Sequence, residues 1–132
     1  MIAARAYART QTETASKERL MVLLFQAALR DIRTAIQSLE SRRASEASAA
    51  LGHAGEIVAE LQATLDHSHA PDLCQKLNDV YQFVLERLLR AQTDRDARLA
   101  REAERVFEPI VSGFTEAVQR LESGTAAPAG AP

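Results

Sequence analysis

Apolar residues recur along this chain at spacings of three and four over four long stretches, and that period predicts four amphipathic α-helices. The first is predicted to open at Ser16, whose hydroxyl can cap an orphan backbone N–H one turn in, with Glu18 near the positive end of the helix dipole. It begins with six consecutive apolar residues, Leu20 to Phe25, and continues as one stripe of Leu29, Ile32, Ala35, Ile36 and Leu39. A turn around Ser41 to Ser45 offers a second capping serine. The second helix then runs from about Ser45 to Leu65 with Leu51, Ala54, Ile57, Val58, Leu61 and Leu65 on one face. Asp66 to Pro71 reads as a connection, and Pro71 suits the first turn of a third helix, where its missing N–H costs nothing. The fourth helix is predicted from Thr93 or Asp94 to about Leu121, with a bend near Arg105 to Glu108 caused by Pro109. Short connections make consecutive helices antiparallel, so the expected fold is all-α: an up-down-up-down four-helix bundle.

Two of these helices carry more apolar surface than a core contact needs. Successive helical residues point about 100° apart, so the run Leu20 to Phe25 faces nearly every direction. On the third helix, Leu73, Leu77, Val80, Tyr81, Val84, Leu85, Leu88 and Leu89 cover roughly half the circumference, wider than the arc of an ordinary surface helix. Something must cover the surplus: the chain's own N-terminal segment, a second copy of the chain, or a partner polypeptide. Tyr7 stands alone in a small-residue stretch and reads either as an exposed terminal residue or as an aromatic anchor for that surface.

Composition narrows the functional classes. A length of 132 residues allows one domain, and scarce Gly and Pro without Trp suit a helical protein. Sixteen basic residues are interspersed with eighteen acidic ones, which argues against a nucleic-acid footprint. Cys74 is the single cysteine, so no intrachain disulfide forms, in keeping with a reducing compartment. With no secretory h-region and no run long enough to span a bilayer, the chain is expected to be cytoplasmic and soluble, without stable membrane insertion.

Polar groups do not converge into recognisable chemistry. The sequence lacks the paired Glu-x-x-His of di-iron bundles, a Gly-rich phosphate loop and a nucleophile–base arrangement. Asp66, His67, His69 and Cys74 are close in sequence, but a solvated loop accounts for them better than a zinc site with its usual ligand pairs. The chain is therefore expected to be no enzyme and to need no cofactor or metal.

Several segments in register resemble the FliS family, the export chaperones of flagellin. Ala6-Tyr7, Thr10-Gln11 and Thr14-Ala15-Ser16, leading into Leu20 to Leu29, are similar to the family's Ala-Tyr start and its Thr-Ala-Ser…Leu-Tyr-Asp-Gly-Ala-Leu stretch. Ile57 to Leu61 with Leu65-Asp66, and Val80-Tyr81-Gln82-Phe83 with Arg87-Leu88 and Ala91 to Asp96, match later segments, so the resemblance covers about Ala6 to Val118. Lys17, Phe25-Gln26-Ala27, Lys76, Gln82 and Gln92 depart from the family pattern.

The expected organisation is an N-terminal segment over residues 1–15 that packs on the bundle, a four-helix bundle chaperone domain over 16–122 and, from its Gly, Thr, Ala and Pro composition, a disordered tail over 123–132. It further implies binding of the disordered C-terminal segment of flagellin in surface grooves, which blocks premature polymerisation, and delivery to the export gate of flagellar type III secretion. The residues expected to bind the partner are Tyr7, Leu20, Leu23, Leu24, Phe25, Val80, Tyr81, Val84 and Leu88. The alternative reading is a homodimeric helical adaptor that buries the same surface against its own copy.

Overall fold

A computed structural model describes the backbone of residues 2–124 and the side chains of residues 17–124. Four helices form in order: α1 (Ile2–Glu40), α2 (Ala44–Ala63), α3 (Pro71–Asp94) and α4 (Ala97–Ser123). Each packs on its sequence neighbours and α1 also packs on α4, which closes a four-membered ring of helices. The ion pairs Arg19–Glu122 at 3.0 Å and Arg33–Glu104 at 2.8 Å fix α1 and α4 as antiparallel, because rising numbers on one helix meet falling numbers on the other.

The interior follows the predicted stripes. Ile32, Val58, Leu61, Val84 and Phe107 are fully buried, one or more from each helix. Phe25 packs its ring against Phe107 and Phe114, with centroids 5.9 and 5.0 Å away, and joins α1 to α4. Ser38 is the buried polar residue of the described core, and its backbone carbonyl accepts the N–H of Arg43 at 2.8 Å.

Helix ends depart from the sequence-based expectation in instructive ways. The first helix starts at Ile2, so Ser16 lies inside it and does not cap it. No Gly or Pro interrupts residues 2–40, and Ala3, Ala4, Ala6 and Ala8 carry the highest intrinsic helix propensity. The Tyr7 side chain, the expected packing of residues 1–15 and the expected disorder of residues 125–132 lie outside the described residues, whereas Ser123, expected in the tail, is the last residue of α4 and Gly124 its C-cap. Ser45 is likewise not a cap: α2 starts one residue earlier, after Arg43, with no side-chain cap hydrogen bond. The turn can be this short because Arg42 adopts a left-handed conformation (φ 57°), and the Arg42 and Arg43 N–H groups reach back to Leu39 and Ser38. Arg95 (φ 52°) closes α3 in the same way, with the Asp96 N–H on the Ala91 carbonyl. Glycine is the usual occupant of such positions, so neither turn is announced by its residue type.

At the start of α3, Pro71 occupies the first helical position as expected. Asp96 caps α4, its carboxylate accepting the Arg98 N–H at 2.9 Å. The helix then continues as one element through Pro109. Pro109 lies about 200° around the helix from fully buried Phe107 and is exposed, so the Arg105 carbonyl it deprives of a donor opens to water.

Candidate partner-binding surface

The run Leu20 to Phe25 is divided by the bundle. Phe25 is 2% exposed and belongs to the core, whereas Leu23, two residues earlier and so about 200° around the helix, is 57% exposed. Leu20 is 54% exposed, and Leu24 and Met21 pack partly against the core.

Helix α3 divides in the same way. Tyr81, Val84 and Leu88 are buried, while Val80 and Leu77 lie half-buried at the core's edge and Leu73 is 57% exposed. Four expected contact residues, Phe25, Tyr81, Val84 and Leu88, are therefore interior, held there by antiparallel packing that sequence periodicity cannot orient. Leu20, Leu23, Leu24 and Val80 remain available in whole or part.

The Arg87–Glu102 ion pair at 2.7 Å identifies the sides of α3 and α4 that meet. Positions seven apart share a helix face, so Val80 and Leu73 continue the Arg87 line, and Val106, Pro109, Gly113 and Ala117 continue the Glu102 line. Beyond the Arg87–Glu102 pair the outer seam between α3 and α4 is thus mostly apolar, with Lys76 on the α3 side. A methyl group built on Gly113 would meet nothing within 4 Å, so the seam is open there. Phe83 covers the charged end, with the Arg87 guanidinium 4.3 Å above its ring.

Leu121 is 56% exposed at the end of α4. The Arg19–Glu122 pair brings that end level with Leu20 and Leu23, and antiparallel packing places the start of α3, with Leu73, at the same end of the bundle. Among the described residues, four of the five exposed large apolar side chains, Leu20, Leu23, Leu73 and Leu121, therefore lie toward one end, and Leu89 lies toward the other. Sequence reasoning placed Leu73 and Leu121 on apolar faces but not in the site. Their positions in the first and last turns, where a helix outruns its neighbours, were the available signal.

A cleft of about 950 Å³ between α1 and α4 is lined by Gln26, Arg30, Thr34 and Gln119 together with Leu29, Ile36 and Val111. A smaller pocket of about 300 Å³ between α2 and α3 is mostly apolar, lined by Leu85, Leu88, Gly52, Gly55 and exposed Leu89 with Gln92 at its edge. Burial raises the Tyr81 phenol to about 12, so it stays protonated at neutral pH. The hydrogen bond that His53 donates to the Asp31 carboxylate, then that carboxylate's negative charge, raises the His53 pKa across the α1–α2 seam. Hydrogen bonds from the Ser68 hydroxyl and N–H lower that of Asp66. Cys74 donates to the Asp66 carbonyl at 3.2 Å, which ties the loop to α3, and among the described residues no three His, Cys, Asp or Glu side chains assemble as a metal site. No described helix is long and apolar enough to cross a membrane.

Among the described residues the fold is a four-helix bundle with exposed leucines toward one end. The sequence matches the family described as flagellar protein FliS over residues 1–121, so the chain belongs to the FliS family, and it is not an enzyme. It is also 28% identical over 104 residues, covering 79% of this chain and 82% of the relative, to the flagellar secretion chaperone FliSB of Pseudomonas aeruginosa.

Proposed function

We propose that this protein is a flagellar export chaperone of the cytosol that holds the disordered C-terminal segment of flagellin on its apolar end and along the α3–α4 seam. Flagellin held there cannot polymerise before it is handed to the export gate. Family membership and the relative's role as a flagellar secretion chaperone support the class of activity. The observation that carries the binding mode is the exposure of Leu20, Leu23, Leu73 and Leu121 toward one end of the bundle, the same end toward which the seam bordered by Val80, Val106 and Gly113 runs. Such a surface suits an amphipathic segment that folds as it binds and lays its apolar side chains into the seam. Full burial of a leucine is worth about 1.5–3 kcal/mol, so four that are half-exposed offer on the order of 4 kcal/mol, about a thousandfold in affinity.

The test is calorimetric titration of the full chain with the C-terminal peptide of its cognate flagellin. Micromolar or tighter binding with a negative heat-capacity change is expected, because apolar surface leaves water. Leu23→Ser/Leu121→Ser is expected to weaken binding by about tenfold or more. Absence of binding, together with a dimer in light scattering that the peptide leaves intact, would replace this reading with the homodimeric adaptor.

A further inference from the structure

The outer seam between α2 and α3 is closed at two places by hydrogen bonds. Gln62 on α2 donates to Asn78 and Gln82 on α3 at 3.1 and 3.0 Å, and Gln92 on α3 donates to the Ser48 carbonyl and hydroxyl on α2 at 3.1 and 2.7 Å. Steps of three and four residues keep one helix face, so Gly52, Gly55 and Ala59 continue the α2 line between these closures, and Leu85 and Leu89 continue the α3 line. Between its two polar closures the seam is therefore apolar, and it opens there into the pocket of about 300 Å³. Leu89 stands at the edge of that pocket and, at 64%, is the most exposed large apolar side chain of the described residues.

The chain's own packing does not call for glycine on this floor. A methyl group built on Gly55 would meet nothing within 4 Å, and one on Gly52 would meet the Gln92 amide at 4.0 Å, although alanine is the better helix former at both positions. What the two glycines supply is bare backbone that a helix from outside can approach closely.

Charge selects the kind of helix. Glu56 and Glu86 stand one residue beyond Gly55 and Leu85 on the outward banks of the seam, and exposed Glu60 and Asp79 follow toward the Gln62 closure. Among the described residues, Glu86 is the one of these four with an ion-pair partner, Arg87, while His53 beside Glu56 is bonded to Asp31 on α1. Asp79, Gln82, Phe83 and Glu86 also line a neighbouring space of about 310 Å³ on the outer face of α3. Arg90 lies beside Leu89, so the negative field is strongest toward the other end of the groove, around Glu56, Glu60 and Asp79. A second copy of this chain seated on the groove would bring these carboxylates against their own kind, which opposes association.

We propose that this groove docks an amphipathic, basic helix of a partner protein, an apolar side chain resting on Gly52, Gly55 and Leu89 while lysine or arginine side chains meet Glu56, Glu60, Asp79 and Glu86. Leu89 and Arg87 are two residues apart, so this groove and the α3–α4 seam lie on nearly opposite sides of α3. Docking here is independent of the client reading, and it would let the chaperone hold a second protein while loaded.

The probe is the acetylated, amidated peptide Lys-Ala-Leu-Lys-Ala-Ala-Leu-Lys-Ala-Leu-Lys-Ala, which as a helix sets its leucines on one face with lysines beside them. It is titrated into isotope-labelled full-length protein and followed by amide chemical shifts. Saturable shifts over residues 49–60 and 79–93 are expected, weakening with added salt and unaffected by the flagellin peptide. Glu56→Lys/Glu60→Lys and Leu89→Ser should each cut the affinity by about tenfold, and both change exposed side chains, so each variant should melt with the parent. A peptide of the same composition, rearranged so that its leucines share no helix face, should bind about tenfold more weakly or worse. No saturable shifts, or binding by either variant or the rearranged peptide as tight as the original pair, would overturn the proposal. Displacement by the flagellin peptide, or shifts of the same amides with protein concentration alone, the mark of a second copy, would overturn it equally.

Discussion

Replacing Phe25 and Leu23 separately tests the division of the apolar run, because two residues that look alike in sequence should behave oppositely. The Phe25 ring is 2% exposed and packed against Phe107 and Phe114, so Phe25→Ala leaves a cavity that α1 and α4 cannot close without shifting. Truncation of a buried phenylalanine costs about 3–5 kcal/mol, and loss of two aromatic contacts places this site in the upper part of that range. A domain of this size is stable by about 5–15 kcal/mol, so the variant should lose a third or more of its stability and melt on the order of 15 °C lower. Leu23 is 57% exposed and points away from the core, so Leu23→Ser should change stability by no more than about 0.5 kcal/mol. Urea titrations followed by circular dichroism give both numbers, and calorimetry with the flagellin peptide gives the reciprocal result, with Leu23→Ser impaired in binding. Equal destabilisation by the two substitutions, or a Phe25→Ala cost below about 1 kcal/mol, would refute the assignment of Phe25 to the core and Leu23 to the surface.

Pro109→Ala should stabilise the protein by about 1–3 kcal/mol in urea titration, because it restores a donor to the Arg105 carbonyl in an exposed helix interior. Gly55→Ala, at a position in α2 where a new methyl meets nothing within 4 Å, should add about 0.5–1 kcal/mol by the same measurement. The His53–Asp31 pair raises the folded-state pKa of His53 above 6.5, so its contribution is present in full below that value and fades as the pH rises through the folded pKa. His53→Gln should therefore lower the melting temperature more at about pH 5.5 than at about pH 8.5, and an equal loss at both would remove the pair from the account. Tyr7→Ala should leave the melting temperature unchanged and alter flagellin-peptide affinity, and affinity identical to the parent would end the idea of Tyr7 as an anchor.

Much of this architecture is written in the order of residues. The stripes of Leu29, Ile32 and Ile36, of Leu51, Val58 and Leu61, and of Phe107, Val111 and Val118 follow the helical period, and all are buried as that period requires. Pro71 marked the start of α3 correctly, for its missing donor is harmless only there. The segments that resemble the FliS family carry the family assignment by residue order alone.

Periodicity alone left undecided which side of an over-wide apolar helix faces inward. Tyr81 and Val84 are interior while Val80 is at the margin, and Phe25 is interior while Leu23 is not, because the placement of α2 and α4 around α1 and α3 selects the buried arc. Local sequence encodes the angles between side chains on one helix, whereas the direction of the core is a property of all four. The same reason explains Leu73 and Leu121, exposed through the register of helix ends, and Arg42 with Arg95, far apart in the chain and brought to one cavity only when the two turns meet.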